Sequence, residues 1–587
     1  MLKKSVIVLS ICLLISFAVT PSIAQVTSAE QQRAIDSLQK TQQKQENLIK
    51  YLGQEYERKE REKEKATIEI LKPEGRDIPS DQCVDVKTIE LKGAEYLSDK
   101  EKSKLTASYL NTCMDIATIN HLMREISNYC FDKGYVTTRV SVSQQDLKDG
   151  SLEFLVVEGK IEEIILNHNT KRDKLQVKAA FPFIKGKTLN LRDIEQGLDQ
   201  LNRLSSSNAT MQLAPGSKDG YSKIIITNNP EKQNRASVGY NNSGQSSTGK
   251  NKGTFFLERD NLFGLGEYLN FSYNKDTASD GGELGNEVLS GQISVPFGYY
   301  TLSANSSHSE YRTTIRGINQ TFSSSGETDS DGLSLNRVLH RDQNSKTSTT
   351  AELIHKNTIA FIENSETATG TRALSIAKFS ADHTHRALSS IIYGSLGYER
   401  GLDAFGARED ASSLAFNNPR AQFDKFTFDG SVYQPLEVKD LHFAYRILAS
   451  GQYSPDPLFS SEQINIGDRY TVRGFQAESV AGDTGGYIRN EVMWNLPQFS
   501  DNKYVKTLLG ELQPYAGLDG GWTRNRGGKT NDNPTGEAYV SGYSIGLRNN
   551  SEWLNFDVAY SKQIKTPGFF TGEDDEVYFS VSANWGF

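Results

Sequence analysis

LHFAYRILASGQY, Leu441 to Tyr453, puts Leu441, Phe443, Tyr445, Ile447 and Ala449 at alternate positions, with His442, Arg446, Ser450 and Gln452 on the other face. A period of two marks a strand with one apolar and one polar side. LNFDVAYS repeats it, with Leu554, Phe556, Val558 and Tyr560 on one face and Asn555, Asp557 and Ser561 opposite. VYFSVSANWGF repeats it again, from Val577 through Phe579, Val581, Ala583 and Trp585 to a terminal Phe587. The pattern holds from about Arg235 to the end of the chain. A soluble β-sandwich would also alternate. A series this long, closing on a terminal aromatic and set among 26 tyrosines, fits a transmembrane barrel with aromatic girdles better. At roughly 20 to 22 residues per strand and connection, about 16 strands fit residues 231–587.

Bulk composition does not oppose this. Mean hydropathy is −0.53 over 587 residues, and strands apolar only at alternate positions barely register in such an average. A net charge of −8 gives no basic footprint for nucleic acid. Residues 1–24 read as a secretory signal: MLKK is a basic start, SVIVLSICLLISFAV an apolar run, and Ser22-Ile23-Ala24 a cleavage site. Cys12 lies inside the apolar run, so it does not mark a lipoprotein. The alternative is a short membrane anchor. No other apolar run approaches the roughly 20 residues of a spanning helix, so membrane residence must be as a barrel.

Between signal and barrel the composition changes twice. Residues 25–58 are polar, with Ile35, Leu38, Ile49, Leu52 and Tyr56 in a heptad-like stripe whose centre is Gln42 and Gln45. A coiled coil would bury both glutamines. A helix in a wet cavity suits them better, and about 30 residues reach roughly 45 Å, enough to plug a pore. Residues 59–80 read as a linker, charged first and then broken by Pro73, Gly75 and Pro79. Residues 81–158 and 159–230 read as two β-α-α-β-β units. Ser98 with Glu101 forms a capping box and Gly134 a helix stop. Sheet edges in such units can accept an extended peptide as an added strand. Cys83, Cys113 and Cys130 remain after cleavage, which predicts one disulfide and one spare thiol. Cys83 with Cys113 is the preferred pair, each at the edge of a regular element.

GDRYTVRGFQ, Gly467 to Gln476, interrupts the strand series with two arginines, Arg469 and Arg473. A glycine after Arg473 suggests backbone held close to something, and the guanidinium needs a fixed carboxylate. LLGELQPYAGLDGGW supplies one. Leu512, Pro514, Ala516, Leu518 and Trp522 share the lipid-facing parity, which turns Glu511, Gln513, Tyr515, Gly517 and Asp519 inward. Gly517 and Gly521 leave room beside Asp519. The predicted contact is Arg473 to Asp519, made by a loop around residues 460–485 folded back into the barrel.

These stretches resemble the two-partner secretion transporters (TpsB family, of the haemolysin, haemagglutinin or CdiB secretion-activation type), within the barrel-assembly superfamily. TVRGF is similar to that superfamily's inward-loop signature, through Gly467, Asp468, Val472, Arg473, Gly474 and Phe475. AGLDGG, with Gly517, Asp519 and Gly520, is similar to the strand motif that its arginine contacts. DNLFGLGE, with Asp260, Asn261, Gly264 and Gly266, resembles the early-barrel motif of the secretion branch. GYVTTRVSVSQQDLKDGSLEFLVVEGKIEEI resembles the end of its first POTRA domain.

The resemblance implies a 16-stranded barrel plugged by the N-terminal helix and the inward loop. It implies two periplasmic POTRA domains that recognise one large exoprotein, a TpsA or CdiA-like adhesin, haemolysin or contact-dependent inhibition toxin, which is secreted without ATP. It also implies the Cys83–Cys113 pair, a Gram-negative outer-membrane location, contact with outer-membrane lipid, and help from the barrel-assembly machinery and periplasmic chaperones during biogenesis. Arg473 and Asp519 become a conformational lock rather than catalytic residues.

No cofactor is implied. No Cys/His cluster has zinc-like spacing, no G-x-S-x-G nucleophile is present, and the eight histidines are scattered, His383 and His385 being the closest pair. Rival readings are an insertase for other barrels, an enzyme in a barrel, and a passive porin, the last disfavoured by the two POTRA-like units.

Overall fold

The computed structural model describes residues 83–587 except 278–283, 317–319, 343, 369, 388, 477, 498–501, 527–535 and 571–573. The expected signal peptide, plug helix and linker lie outside the described residues.

The first unit is a three-stranded sheet in the order Thr88–Lys92, Ser151–Val157, Arg139–Val142, with the first pair parallel and the second antiparallel. Helices Asp99–Thr106 and Ile116–Asp132 lie against it. Ser98 and Glu101 cap the first helix reciprocally, and Gly134, at φ +95°, follows the end of the second. Leu122, Ile126, Leu152 and Phe154 are wholly buried between helix and sheet. Val84–Val86 pairs with Thr112–Met114, a strand not legible in the sequence, because three residues are too few to show a period. Beside it Cys83 is bonded to Cys113, and Cys130 is a buried free thiol.

The second unit repeats the plan: Lys160–Leu166 runs parallel to Tyr221–Thr227, which pairs antiparallel with Thr210–Pro215. Helices Lys171–Ala180 and Leu191–Asn202 cover the face that buries Ile161, Ile194, Ile224 and Ile226.

Among the described residues sixteen long antiparallel strands follow, from Asn234–Asn241 to Asp575–Gly586, and the last pairs with the first to close a barrel. The two-residue ladder Ser365–Glu366 belongs to a hairpin tip. Leu302, Leu333, Phe379, Leu396, Leu518 and Ile545 are exposed on the outer face, as alternation requires of a lipid-facing wall. The walls are uneven: strands five to seven (Tyr300–Arg316, Thr321–Arg341, Ser345–Ile362) are the longest. Both chain ends of the barrel, at Asn234 and Phe587, meet at the rim that the second N-terminal unit contacts.

Candidate functional site in the barrel lumen

Between the eleventh strand, Leu441–Tyr453, and the twelfth, Thr484–Asn495, the chain turns inward instead of making a hairpin. Ile464–Ile466 and Val480–Gly482 form a short antiparallel stem. Ile464, Ile466, Val472, Phe475 and Val480 pack with Tyr487, Ala538 and Val540 of the wall. The tip is shaped by Asp468, whose Oδ1 accepts from the Tyr470 and Thr471 amides at 2.6 and 2.7 Å and from the Thr471 hydroxyl at 2.9 Å. Gly467 is at φ +116° and donates to Thr471 Oγ1 at 2.9 Å. Gly474 is at φ +100°, and a Cβ there would lie 3.0 Å from the Lys562 carbonyl carbon.

Arg473 projects from this tip into the wall. Its Nε donates to Asp519 Oδ2 at 2.6 Å and its Nη2 to Oδ1 at 2.8 Å, a two-pronged pair on the thirteenth strand, Glu511–Arg524. Its backbone amide also reaches Asp519 Oδ2, at 3.2 Å. Gly517 makes the approach possible: a Cβ there would fall 2.1 Å from Arg473 Nη2. Gly521 likewise makes room for Ile466, whose Cγ2 would be 2.8 Å from an added Cβ. Gly520 has the opposite parity, and a Cβ there meets only Ser541 at 4.0 Å. The parity argument thus places Asp519 inward, 1% exposed, while Leu518 is 56% exposed on the lipid side.

The sequence reading missed a second carboxylate. Glu491 on the twelfth strand accepts from Arg473 Nη1 at 3.0 Å and from Arg446 Nη2 at 2.8 Å, and also pairs with Arg548. A signal existed: Tyr487, Arg489, Glu491 and Met493 are the buried parity of that strand, opposite exposed Ile488 and Val492. Arg489 is 4.0 Å from Asp519 and donates to the Tyr470 carbonyl at 2.8 Å. Tyr515 lies under two guanidinium groups, with Arg548 at 4.6 Å and Arg473 at 5.9 Å from its ring centre. Four arginines and two acids, buried together, cover each other's charge in a site that excludes most water.

Two further anchors hold the loop. Arg469 donates to the Phe579 carbonyl at 3.0 Å on the last strand and pairs with Asp557 at 3.3 Å on the fifteenth. Higher in the pore Glu462, 1% exposed, contacts Lys356 at 2.5 Å and Lys425 at 3.2 Å. Lys425 also pairs with Glu399 at 2.7 Å. Nothing local marks Glu462 in the sequence, since its lysines stand on strands far away in the chain.

The early-barrel motif is elsewhere, in the turn between the second strand, Lys252–Asp260, and the third, Tyr268–Asp276. Asp260 takes a two-pronged pair from Arg235 at 2.8 and 3.0 Å and accepts from the Ser206 amide at 3.0 Å. Asn261, at φ +51°, accepts from the Gly266 amide at 2.9 Å. Gly264 leaves room for Arg172, which an added Cβ would meet at 2.8 Å. Arg203 of the second unit donates to the Gly266 carbonyl at 2.9 Å and to Ser294 Oγ at 2.6 Å. Gln196 and Gln200 donate to the Gly298 carbonyl in the next turn, at 3.1 and 2.8 Å. This motif therefore docks the second N-terminal unit on the barrel rim, at the mouth opposite the loop's entry.

The described parts all have counterparts in known proteins. Residues 220–549 match the model of the haemolysin secretion/activation protein ShlB/FhaC/HecB, while 84–159 match an ShlB-type POTRA domain and 160–215 a POTRA domain. The outer membrane transporter CdiB of Dickeya dadantii (strain 3937) is 32% identical over 505 residues, covering 86% of this chain and 87% of that protein. The hemolysin transporter protein ShlB of Serratia marcescens is 29% identical over 76% of this chain and 80% of its own length. In structure the chain is similar to CdiB from Escherichia coli, with a TM-score of 0.83 at 28% identity over 94% of this chain and 99% of that one. On these grounds the chain belongs to the haemolysin secretion/activation protein family, the two-partner secretion transporters of the outer membrane.

Proposed function

We propose that this transporter exports one cognate large exoprotein, without ATP, through a pore that its own inward loop closes at rest. The observation that carries the reading is how the loop is held. Its stem is apolar, but its fixing points are the ionic contacts of Arg473, Arg469 and Glu462, which can be exchanged for others as a chain passes. On this reading Arg473 and Asp519 are a conformational lock, with Glu491 as its second acceptor. Residues 81–158 and 159–230 are the periplasmic recognition domains. Each leaves a strand edge open to an added strand, at Thr88–Lys92 and Arg139–Val142 in the first and Thr210–Pro215 in the second, whereas the start of Lys160–Leu166 is already bridged by residues 186–189. Residues 25–58 act as a plug that leaves when cargo binds, and the protein carries out no chemical step. The similarity to proteins named CdiB favours a contact-dependent inhibition toxin as cargo.

Proteomics of the medium and cell surface, with and without the gene, tests this. Loss of one very large protein with other barrels unchanged supports it and names the cargo. A parallel fall in many barrel proteins would replace it with an insertase, and no change at all would leave a passive porin.

A further inference from the structure

The outer face of the barrel is electrically lopsided above its apolar belt. On strands four to six the outward parity at the upper ends is acidic. Glu287 is paired in register with Glu310, Glu310 with Glu327, and His308 with Asp329. On strands eleven to fifteen the same level is basic and aromatic, although the whole chain is acidic. Tyr453, Thr484, Trp522, Arg524, Arg526, Glu537 and Tyr539 line a cleft of about 460 Å³ there. Trp522 and Arg524 share the parity of the exposed Leu518, and Glu537 and Tyr539 that of the exposed Ile545, so the cleft opens toward lipid rather than into the pore. Register sets Trp522 beside Tyr539 and Arg524 beside Glu537.

Of the cleft's charges, Arg524 is the one loosely held within the chain. Arg524 is largely exposed, and its ion pair with Glu537 is long, at 3.9 Å. Lys565 Nζ stands 4.9 Å over the Tyr539 ring, at the cleft's edge. Three cations are thus gathered around three aromatic faces at the extracellular limit of the wall. A guanidinium fork suits a phosphate, while an aromatic ring with a polar tip suits the boundary between acyl chains and sugar. A phosphate-free apolar chain would need none of the cations, and a free anion none of the rings.

We propose that this cleft binds a phosphorylated sugar headgroup of an outer-leaflet glycolipid, with Arg524 and Arg526 on the phosphate and Trp522, Tyr539 and Tyr453 against the sugar and upper acyl chain. Its position gives the lipid a mechanical role. Tyr453 ends the strand that enters the inward loop and Thr484 begins the strand that leaves it. A lipid seated here grips both roots of the loop from outside and holds them at one spacing. On the acidic side the outward carboxylates Glu287, Glu310, Glu327 and Asp329 outnumber the outward guanidinium of Arg312, so lipid contact is polarised around the barrel.

The test uses the purified full-length protein in detergent, titrated with bisphosphorylated lipid A, with the same lipid dephosphorylated, and with inorganic phosphate. Binding is read by native mass spectrometry and by thermal unfolding. The bisphosphorylated lipid is expected to bind and raise the unfolding temperature. The dephosphorylated lipid and the Arg524→Gln/Arg526→Gln double variant should each weaken binding by about tenfold or more. Lys275→Gln, on the third strand beside Glu287 of the acidic side, should leave it unchanged. Lys565→Gln serves if the double variant fails to keep its folded, heat-modifiable migration, and should weaken binding in the same direction. Equal binding of the two lipids, equal binding by the arginine or lysine variants, or an equal shift with inorganic phosphate alone would overturn the proposal.

Discussion

Arg473 reaches two carboxylates on adjacent strands, so its loss is felt unequally. Glu491 would keep Arg446 and Arg548, whereas Asp519 would keep the backbone amide of residue 473 at 3.2 Å and Arg489 at 4.0 Å. Arg473→Ala should therefore cost the inward loop about 3 kcal/mol without unfolding the barrel. That shifts a two-state closed loop toward open by about a hundredfold. The expected outcome is raised conductance in planar bilayers and lost cargo secretion, with normal heat-modifiable migration. Gly517→Ala attacks the same contact sterically. Its methyl would occupy the place of Arg473 Nη2, an overpacking cost of about 1–3 kcal/mol, so conductance should rise while Asp519 remains. The Arg473–Asp519 contact was legible because a period of two tells inside from outside once the barrel is assumed. Glu491 obeys the same rule and was overlooked because its strand carries no comparable pattern of glycines on the inward face. Glu462 could not be found this way, since its partners are set by barrel closure rather than by local spacing.

At the scale of elements, the long strands and the Ile116–Asp132 helix were readable, because each is long enough to show its period. Thr112–Met114, which pairs with Val84–Val86, and the loop's own stem were not, because three residues show none. The inward loop is an element held at two heights. Glu462→Gln should loosen the upper one by about 1–3 kcal/mol, since Lys425 retains Glu399 while Lys356 loses its carboxylate partner at 2.5 Å. Raised conductance from this variant, with the Arg473 contact intact, would show that both heights are needed. In the first periplasmic unit, Lys133 and the Ser98 cap hold the Glu101 carboxyl down at about 2, against an ordinary 4.5. A carboxylate depressed on folding stabilises the fold above its unfolded value and ceases to do so as pH falls through its folded one. Protection of residues 99–133 from pepsin should therefore decline between about pH 4.5 and 2. Lys133→Met should move the onset of cleavage to higher pH within that window. Burial pushes the Cys130 thiol up, so alkylation of the folded protein at neutral pH should spare it.

Over the whole molecule, the second N-terminal unit and the barrel are joined by a few turns at one rim. Asp260 is central there, gripping Arg235 of the first barrel strand while accepting the Ser206 amide of the second unit. Asp260→Asn keeps the shape and removes the charge. Secretion is expected to fall by about tenfold or more while the barrel still migrates as folded, because Arg235 is left half-buried without its strongest partner. Unchanged secretion would mean that the joint does not transmit cargo binding.

The ring itself is closed by the chain's final residue, whose carbonyl accepts from the Asn234 amide at 3.2 Å across 353 positions of sequence. The loop tip reaches to either side of that joint. Arg469 touches Phe579 on the last strand, and Gln476 touches the Gly244 carbonyl, at 3.2 Å, just beyond the first. Closing so distant a pair carries the largest loop-closure cost in building such a wall. Two fasteners of the tip, Arg469 on the last strand and Gln476 beyond the first, are both in reach only as that step finishes. On the closed resting state proposed above, completing the cylinder and seating the last fasteners of the loop are one event, so a newly made barrel joins the permeability barrier already shut.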